Sequence, residues 1–412
     1  MSTMRLESIN SQVRSTSNGL ETIKQQHPDD VVITLAIRTP LCKSKRGGLK
    51  DTLLDDLVFK TLEQVIAQSK LDPSQVNDIC LGNVRDAKAS YYVRAAALAA
   101  GFPPTTCASH ASRFCSSGLT ATQHVANEII TGTIDIGVAI GAEALSTEYT
   151  RLDRDFVEPI MSGSQHAADC MMPMGGTAEI VAQEFNVTRE QQDHYAAESY
   201  HRAEQAQQNG WFDDEIVPIR VTLNGKQETI SKDDCLRSGV TPEKLSKLPP
   251  SFPDYGPTTH AGNASQITDG AAAIILMKRS KALELGQPIL AKYIGTSLAG
   301  LPPRIMGIGP TYAIPKLLER FGIALDDVDV LEINEAFASM AVYCRDQLKL
   351  DWSKMNPRGG AIALGHPFGC TGVRQIVTGL SECRRRKQQI LVTSMCLGTG
   401  MGMAGLFVNE QY

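Results

Sequence analysis

An α/β architecture is the fold class this chain predicts. Apolar, β-branched runs alternate with helix-like patterns along most of its length. Two strand–loop–helix units also echo one another, one in each half of the chain. At 412 residues, 42% hydrophobic and 21% charged, the composition is that of a globular protein with a large core and two or three domains.

The elements follow in order. Residues 1–27 are polar and rich in Ser, Gln and Asn, and read as an appendage before the first strand, Val31 to Ile37. Within them Leu6, Ile9 and Val13 would share one helical face. Leu53 to Ala67 carries Leu54, Leu57, Val58, Thr61 and Leu62 at helical spacing. Ile136 to Ile140, Ala271 to Met277, Val328 to Ile333 and Ile390 to Ser394 read as further buried strands. Pro73, Gly82 and Pro103-Pro104 punctuate the first half. A break in this rhythm runs from about Glu148 to Gln266 and reads as an inserted domain over a crevice. It includes a helix from Arg189 to Gln208, with Thr188 as cap and Gln191 completing a capping box.

The echo joins Asp78-Ile79-Cys80-Leu81-Gly82-Asn83, which precedes a loop holding Cys115, to Leu331-Glu332-Ile333-Asn334, which precedes a loop holding His366. Each loop is small and glycine-containing, leads into a helix, and is followed by a strand with a glycine-rich exit. Two related halves facing each other would bring Cys115, His366 and Cys396 into one crevice. Cys115 sits where small residues lead into a helix, so the helix dipole predicts a thiol that ionises readily. A thiol, an imidazole, a second thiol and a glycine-bracketed loop are the parts acyl transfer onto sulfur requires.

Charge and cysteine usage narrow the classes. A net charge of -5 argues against nucleic acid as the main partner. The apolar runs are too short for a membrane span. Ten cysteines without any C-x-x-C pair speak against structural zinc and iron–sulfur sites, and suggest reduced thiols. Taken singly, each site residue has a plainer reading: an inert buried thiol, a hydrogen-bonded loop histidine, a helix-capping Asn334. Cys80, Cys107, Cys344, Cys370 and Cys383 keep that structural reading, and Arg384-Arg385-Arg386-Lys387 reads as a solvated helix end.

In combination the segments carry more. Cys115-Ser116-Ser117-Gly118, Ala261-Gly262-Asn263-Ala264-Ser265, Asn334-Glu335-Ala336-Phe337-Ala338, Gly359 through His366-Pro367, and Cys396-Leu397-Gly398-Thr399-Gly400 occur in that order. With them the chain resembles the thiolases along almost its full length, and among these the peroxisomal 3-ketoacyl-CoA thiolases of fungi. The resemblance implies duplicated βαβαβαββ halves in a five-layered α-β-α-β-α arrangement with an inserted loop domain. It divides the chain into an extension at 1–27, an N-terminal half at 28–147 and 267–290, a coenzyme A-binding loop domain at 148–266, and a C-terminal half at 291–412.

The resemblance also implies roles. Cys115 would be the nucleophile, His366 its activator, and Cys396 the acid–base group. The amides of Cys115 and Gly398 would form one oxyanion hole, and His366 with an Asn334-held water the other. Ser265 would contact the pantetheine arm and Met174 would line the thioester pocket. The implied reaction is CoA-dependent cleavage of a 3-ketoacyl-CoA to acetyl-CoA and a shortened acyl-CoA in β-oxidation. It requires no metal or redox cofactor, CoA being a substrate. The alternatives are biosynthetic condensation of two acetyl-CoA, a non-catalytic acyl-CoA-binding subunit, and a ketosynthase, the last disfavoured by Cys396. A homodimer is implied. The pattern Arg5-Leu6, Gln12-Val13 resembles a type-2 peroxisomal targeting signal, which implies peroxisomal location and an import receptor as partner, with mitochondrion or cytosol as alternatives. Departures from the family pattern fall at Ser112, Phe114, Phe368 and the charged, tyrosine-bearing stretch Arg85 to Val93.

Overall fold

The computed structural model describes residues 19–147 and 156–412. The targeting-like pattern at residues 5–13 therefore lies outside the described residues. The end of the N-terminal stretch is less of an appendage than its composition suggests. A short helix, Gly19–Lys24, buries Ile23 and sets Gly19 against the backbone of Phe321 and Gly322.

The first half begins with β1 (Val31–Arg38), followed by α1 (Leu54–Ser69), β2 (Asp78–Gly82), α2 (Ala89–Ala100), β3 (Cys107–Ala111), α3 (Ser117–Thr131) and β4 (Ile136–Glu143). An insertion follows, with α4 (Met174–Glu184), α5 (Arg189–Gln208) and a small hairpin, Ile219–Leu223 with Lys226–Ile230. The chain returns as β5 (Thr268–Lys278). The second half contains β6 (Ala291–Gly300), α6 (Pro310–Phe321), β7 (Val330–Ile333), α7 (Ala338–Gln347), α8 (Phe368–Arg386), β8 (Ile390–Leu397) and β9 (Met401–Asn409).

Strand pairing makes the duplication explicit. In the first half β2 lies parallel to both β3 and β4, and β5 runs antiparallel between β4 and β1. In the second, β7 is parallel to β8, and β9 runs antiparallel between β8 and β6. A parallel bridge from Leu331 to Met355 takes the place of β3. Each half is thus β-α-β-α-β-α-β-β with one strand order. The halves meet where β1 and β6 pair over two positions, Val32 with Lys292 and Ile33 with Ala291.

Helices α3 and α8 pack on one another between the two sheets, α1 and α2 cover the first sheet, and α6 with α7 covers the second. This is the five-layered arrangement. Strands with helices on both faces bury every side chain, which is why β4 and β8 are buried along their whole length and mostly apolar. Helix α8 is buried at every position from Gly369 to Cys383. Its polar residues are accommodated pairwise: Arg374 bonds Glu332 at 2.8 Å, and Gln375 donates to the carbonyls of Glu332 and Ser394. Among the described residues, no helix is long and apolar enough to cross a membrane.

The central helices can touch only because their contact is made of glycine. A Cβ on Gly118 would lie 2.6 Å from the Gly369 carbonyl oxygen, and one on Gly372 would lie 2.3 Å from the Leu119 nitrogen. Gly141 is similarly close to Gly369. This crossing brings the N-terminus of α3, which carries Cys115, against the N-terminus of α8, which follows His366.

Candidate active site

Cys115 is presented by a tight turn between β3 and α3. The Ser116 amide donates to the Arg113 carbonyl at 3.1 Å, and the Ser117 amide to the Phe114 carbonyl at 2.9 Å. Phe114 takes φ +46, a left-handed conformation costing a bulky residue about 1–3 kcal/mol. Thr399, three residues beyond Cys396, is also left-handed at φ +68. The two loops meet: a Cβ on Gly398 would sit 3.4 Å from the Phe114 ring. Strain of this kind collects where a fold must hold reactive groups in place.

The backbone N–H groups of Cys115 and Gly398 both hydrogen-bond towards the Cys115 sulfur. They favour the thiolate, as does the charge of Arg85. Burial and the charge of Glu143 oppose them, and burial is the largest effect, pushing the thiol up to about 12. The readily ionised thiol expected from the helix start is therefore not what the folded site provides. Desolvation outweighs the helix-end amides, and the resting group is a neutral thiol. Cys396, in β8, is buried, and burial together with the neighbouring Cys115 holds its thiol well above the ordinary range. It packs with Ala178, Val181, Met306, Ala336 and Met340, and Met174, at the start of α4, lies against the same cluster.

His366 is fixed from both ends of its ring. Its amide donates to the Gln266 carbonyl at 2.9 Å. Nδ1 lies 2.6 Å from Thr371 Oγ1, and that hydroxyl donates onward to the Pro367 carbonyl at 3.3 Å. The hydroxyl proton being so engaged, Nδ1 carries the hydrogen and Nε2 the lone pair, an assignment read from the bonding network. Nε2 accepts from Asn334 Nδ2 at 3.3 Å. Burial, with Arg374 nearby, lowers the imidazole to about 3, so it is neutral at ordinary pH. Asn334 is not a helix cap: its amide donates to the Ser394 carbonyl at 2.9 Å, tying it to β8 two residues from Cys396. The Phe368 ring stands edge-on to His366 with centroids 5.1 Å apart, and the Arg85 guanidinium lies 5.5 Å over Phe368.

The insertion supplies the remaining wall. The Ser265 amide donates to the Ala336 carbonyl at 3.0 Å, and the Ala338 amide to the Asn263 carbonyl at 2.8 Å. These bonds lay the 261–265 segment along Asn334 to Ala338. Asp193 of α5 holds that segment through His260 at 2.7 Å and Asn263 at 3.2 Å. Behind it, Glu335 accepts from Tyr195 at 3.0 Å and Ser199 at 2.7 Å, anchoring the same loop to α5.

The fold thus sets Gly398 and Cys396 beside Cys115 and Asn334 beside His366, with Ser265 bonded to Ala336 and Met174 against the cluster around Cys396. Two contributors escape a reading of the sequence. Thr371, which sets the His366 tautomer, is five residues away, across a helix start. Glu143 looks like a strand end. Cys107, read as a buried thiol, is exposed on β3, which among the described residues is the edge strand of the sheet.

Two matching halves, with a thiol at one helix start and an imidazole before its counterpart, define the class. The family model for the thiolase N-terminal domain matches residues 31–280 and that for the C-terminal domain matches 287–409; the chain belongs to the thiolase family and is an acyltransferase. Among named relatives, the peroxisomal 3-ketoacyl-CoA thiolase of Yarrowia lipolytica is 49% identical, over 98% of this chain and 100% of its own. The human peroxisomal 3-ketoacyl-CoA thiolase is 46% identical, over 92% of this chain and 90% of its own. The crystal structure of the dimeric peroxisomal thiolase of Saccharomyces cerevisiae superposes with a TM-score of 0.90 at 43% identity, covering 95% of this chain and all of that one. Human mitochondrial 3-ketoacyl-CoA thiolase in complex with CoA superposes at 0.83 with 33% identity, over 92% of this chain and 98% of that one.

Proposed function

We propose that this enzyme cleaves 3-ketoacyl-CoA with CoA, as a peroxisomal 3-ketoacyl-CoA thiolase of fatty-acid β-oxidation, through an acyl-Cys115 intermediate. The observation that carries the residue roles is the convergence at Cys115. Two backbone N–H groups aim at its sulfur, and the helix behind a neutral imidazole whose Nε2 accepts from Asn334 packs against the helix that follows Cys115.

In the first half-reaction His366 Nε2 accepts the Cys115 proton as the sulfur attacks the 3-keto carbon. The oxyanion draws on the amides of Cys115 and Gly398. The C2–C3 bond then breaks, its electron pair passing to the acetyl-CoA enolate. His366 and Asn334 stabilise that enolate at the thioester oxygen, and Cys396 protonates its carbon. In the second half-reaction the CoA thiol passes its proton to the Cys396 thiolate and attacks the acyl-cysteine; the bond to the Cys115 sulfur breaks, the shortened acyl-CoA leaves, and His366 returns its proton to Cys115. A buried thiol suits the role of Cys396, since it keeps its proton until a carbanion develops beside it. Ser265 contacts the pantetheine arm and Met174 lines the thioester pocket. On this reading the chain divides into 28–147 with 267–290, an insertion at 148–266 that binds CoA, and 291–412.

Two copies pair through β3, whose outer edge pairs with no other strand among the described residues and whose neighbourhood exposes Tyr91 and Leu98. The N-terminal pattern at residues 5–13 serves as the address read by an import receptor.

The test is CoA-dependent loss of acetoacetyl-CoA compared with medium- and long-chain 3-ketoacyl-CoA, with intact-mass detection of the acyl-enzyme. Faster turnover of longer chains and an adduct on Cys115 are the expected result. Activity confined to acetoacetyl-CoA would assign the biosynthetic reaction instead. Cys396→Ala should still acylate at Cys115 from an acyl-CoA donor while losing about a hundredfold or more in cleavage.

A further inference from the structure

Glu143, the last residue of β4, is an acid enclosed at the crossing of the two halves, 1% exposed. Oε1 accepts from Asn83 Nδ2 at 3.2 Å and from the Arg85 amide at 3.0 Å. Oε2 accepts from the Val84 amide at 3.1 Å and from the Gly369 amide at 2.8 Å. All four partners are N–H donors. A neutral carboxyl would have to turn its O–H against one of them, so the arrangement fits the carboxylate.

Three donors belong to the loop after β2, on the Cys115 side of the crevice. The fourth lies in the first turn of α8, three residues after His366. Gly369 has little freedom to move: a Cβ there would lie 2.5 Å from the Gly82 carbonyl oxygen and 2.9 Å from Glu143 Oε2. One carboxylate therefore ties the nucleophile's half to the helix behind the imidazole.

The charged and titratable groups facing it are Arg85 from the loop, Cys115 from the start of α3, and Cys370 from α8.

We propose that Glu143 is a positioning residue for thiolysis: its carboxylate holds His366 in register with Cys115 across the two halves, with its negative charge facing the nucleophile. The inference rests on Cys115 being the nucleophile. Glu143 is among the groups that raise the Cys115 thiol. Burial pushes Glu143 itself up to about 7, against its hydrogen bonds and the charge of Arg85.

Charge and reach can be separated with Glu143→Gln and Glu143→Asp. In Glu143→Gln the charge is gone, so iodoacetamide should alkylate Cys115 about tenfold faster at neutral pH, the thiolate being the reactive form. Turnover should move the other way, kcat falling about tenfold to a hundredfold with KM little changed, as misplacement of a reacting group predicts. Glu143→Asp keeps the charge and loses reach to Gly369, so kcat should fall while alkylation stays at the wild-type rate. A general loosening of the fold would not accelerate alkylation in one variant and spare it in the other.

Wild-type alkylation in Glu143→Gln, or wild-type kcat in Glu143→Asp, overturns the proposal. The second criterion stands even where Glu143→Gln fails to fold. Failure of the underlying reading looks different: the wild-type acyl adduct would map to a residue other than Cys115.

Discussion

A single methyl group at the helix crossing tests whether glycine packing sets the catalytic geometry. In Gly118→Ala the new Cβ would meet the Gly369 carbonyl oxygen at 2.6 Å and the Val373 nitrogen at 3.0 Å. Both are backbone atoms of α8, so no side chain can swing aside, and the helices must part by most of an ångström. Overpacking of this kind costs about 1–3 kcal/mol of stability. The catalytic cost should be larger in proportion, because the helices that separate carry Cys115 and follow His366. A misplacement of about 1 Å can cost roughly a hundredfold in rate. The assay pairs urea unfolding with steady-state thiolysis, using Gly300→Ala as a control, since a Cβ at Gly300 meets nothing within 4 Å. KM should stay near wild type, because the insertion, proposed to bind CoA, is not displaced. Wild-type kcat in a Gly118→Ala protein that has lost stability would refute the link between crossing and chemistry. Wild-type values of both would refute the packing argument itself.

The His366 network yields two further tests. The imidazole is lowered to about 3 in the folded state from an ordinary 6.5, so the unfolded chain binds the extra proton as pH falls through that window. Wild type should therefore lose about 1.4 kcal/mol per pH unit relative to His366→Asn below that ordinary value. Chemical denaturation at pH 6.5 and 5 measures it, and parallel curves would show that the imidazole protonates freely in the fold. Thr371→Val removes the acceptor for Nδ1–H at nearly constant shape. It should cost about 1–3 kcal/mol of stability, since a buried donor is left unpaired. It should also lower kcat about tenfold through loss of the Nε2 lone pair's orientation; unchanged kcat would remove Thr371 from the mechanism.

Much of this molecule was legible residue by residue. The strands from Val31, Ile136 and Ile390 announce themselves because both sheet faces are covered, so their residues are largely apolar and β-branched. Helix α5 begins where Thr188 and Gln191 say it should, with the Gln191 amide 3.2 Å from Thr188 Oγ1. The five motifs lie in loops between such elements, and their order along the chain reflects the duplication. What stayed hidden depends on tertiary packing. Arg384-Arg385-Arg386-Lys387 read as a solvated helix end, yet α8 is buried from Gly369 to Cys383, and Arg374, Gln375 and Glu382 on it take partners distant in sequence: Glu332, Ser394 and Arg358. The depressed thiol expected for Cys115 failed for a related reason: a helix start is visible locally, but the desolvation that overrides it comes from both halves. Glu143 was passed over because its four donors come from the 83–85 loop and from Gly369, more than half the chain apart.

The division of the site between two halves joined in one chain also bears on when activity can arise. Cys115 and Glu143 are synthesised long before Asn334, His366 and Cys396, and the strand that closes the second half, β9, ends only three residues from the C-terminus. On the proposed roles, a partly made or truncated chain displays the thiol but lacks the base that would draw its proton and the Gly398 amide that would receive an oxyanion. Such a chain would not consume a thioester until its second half had folded.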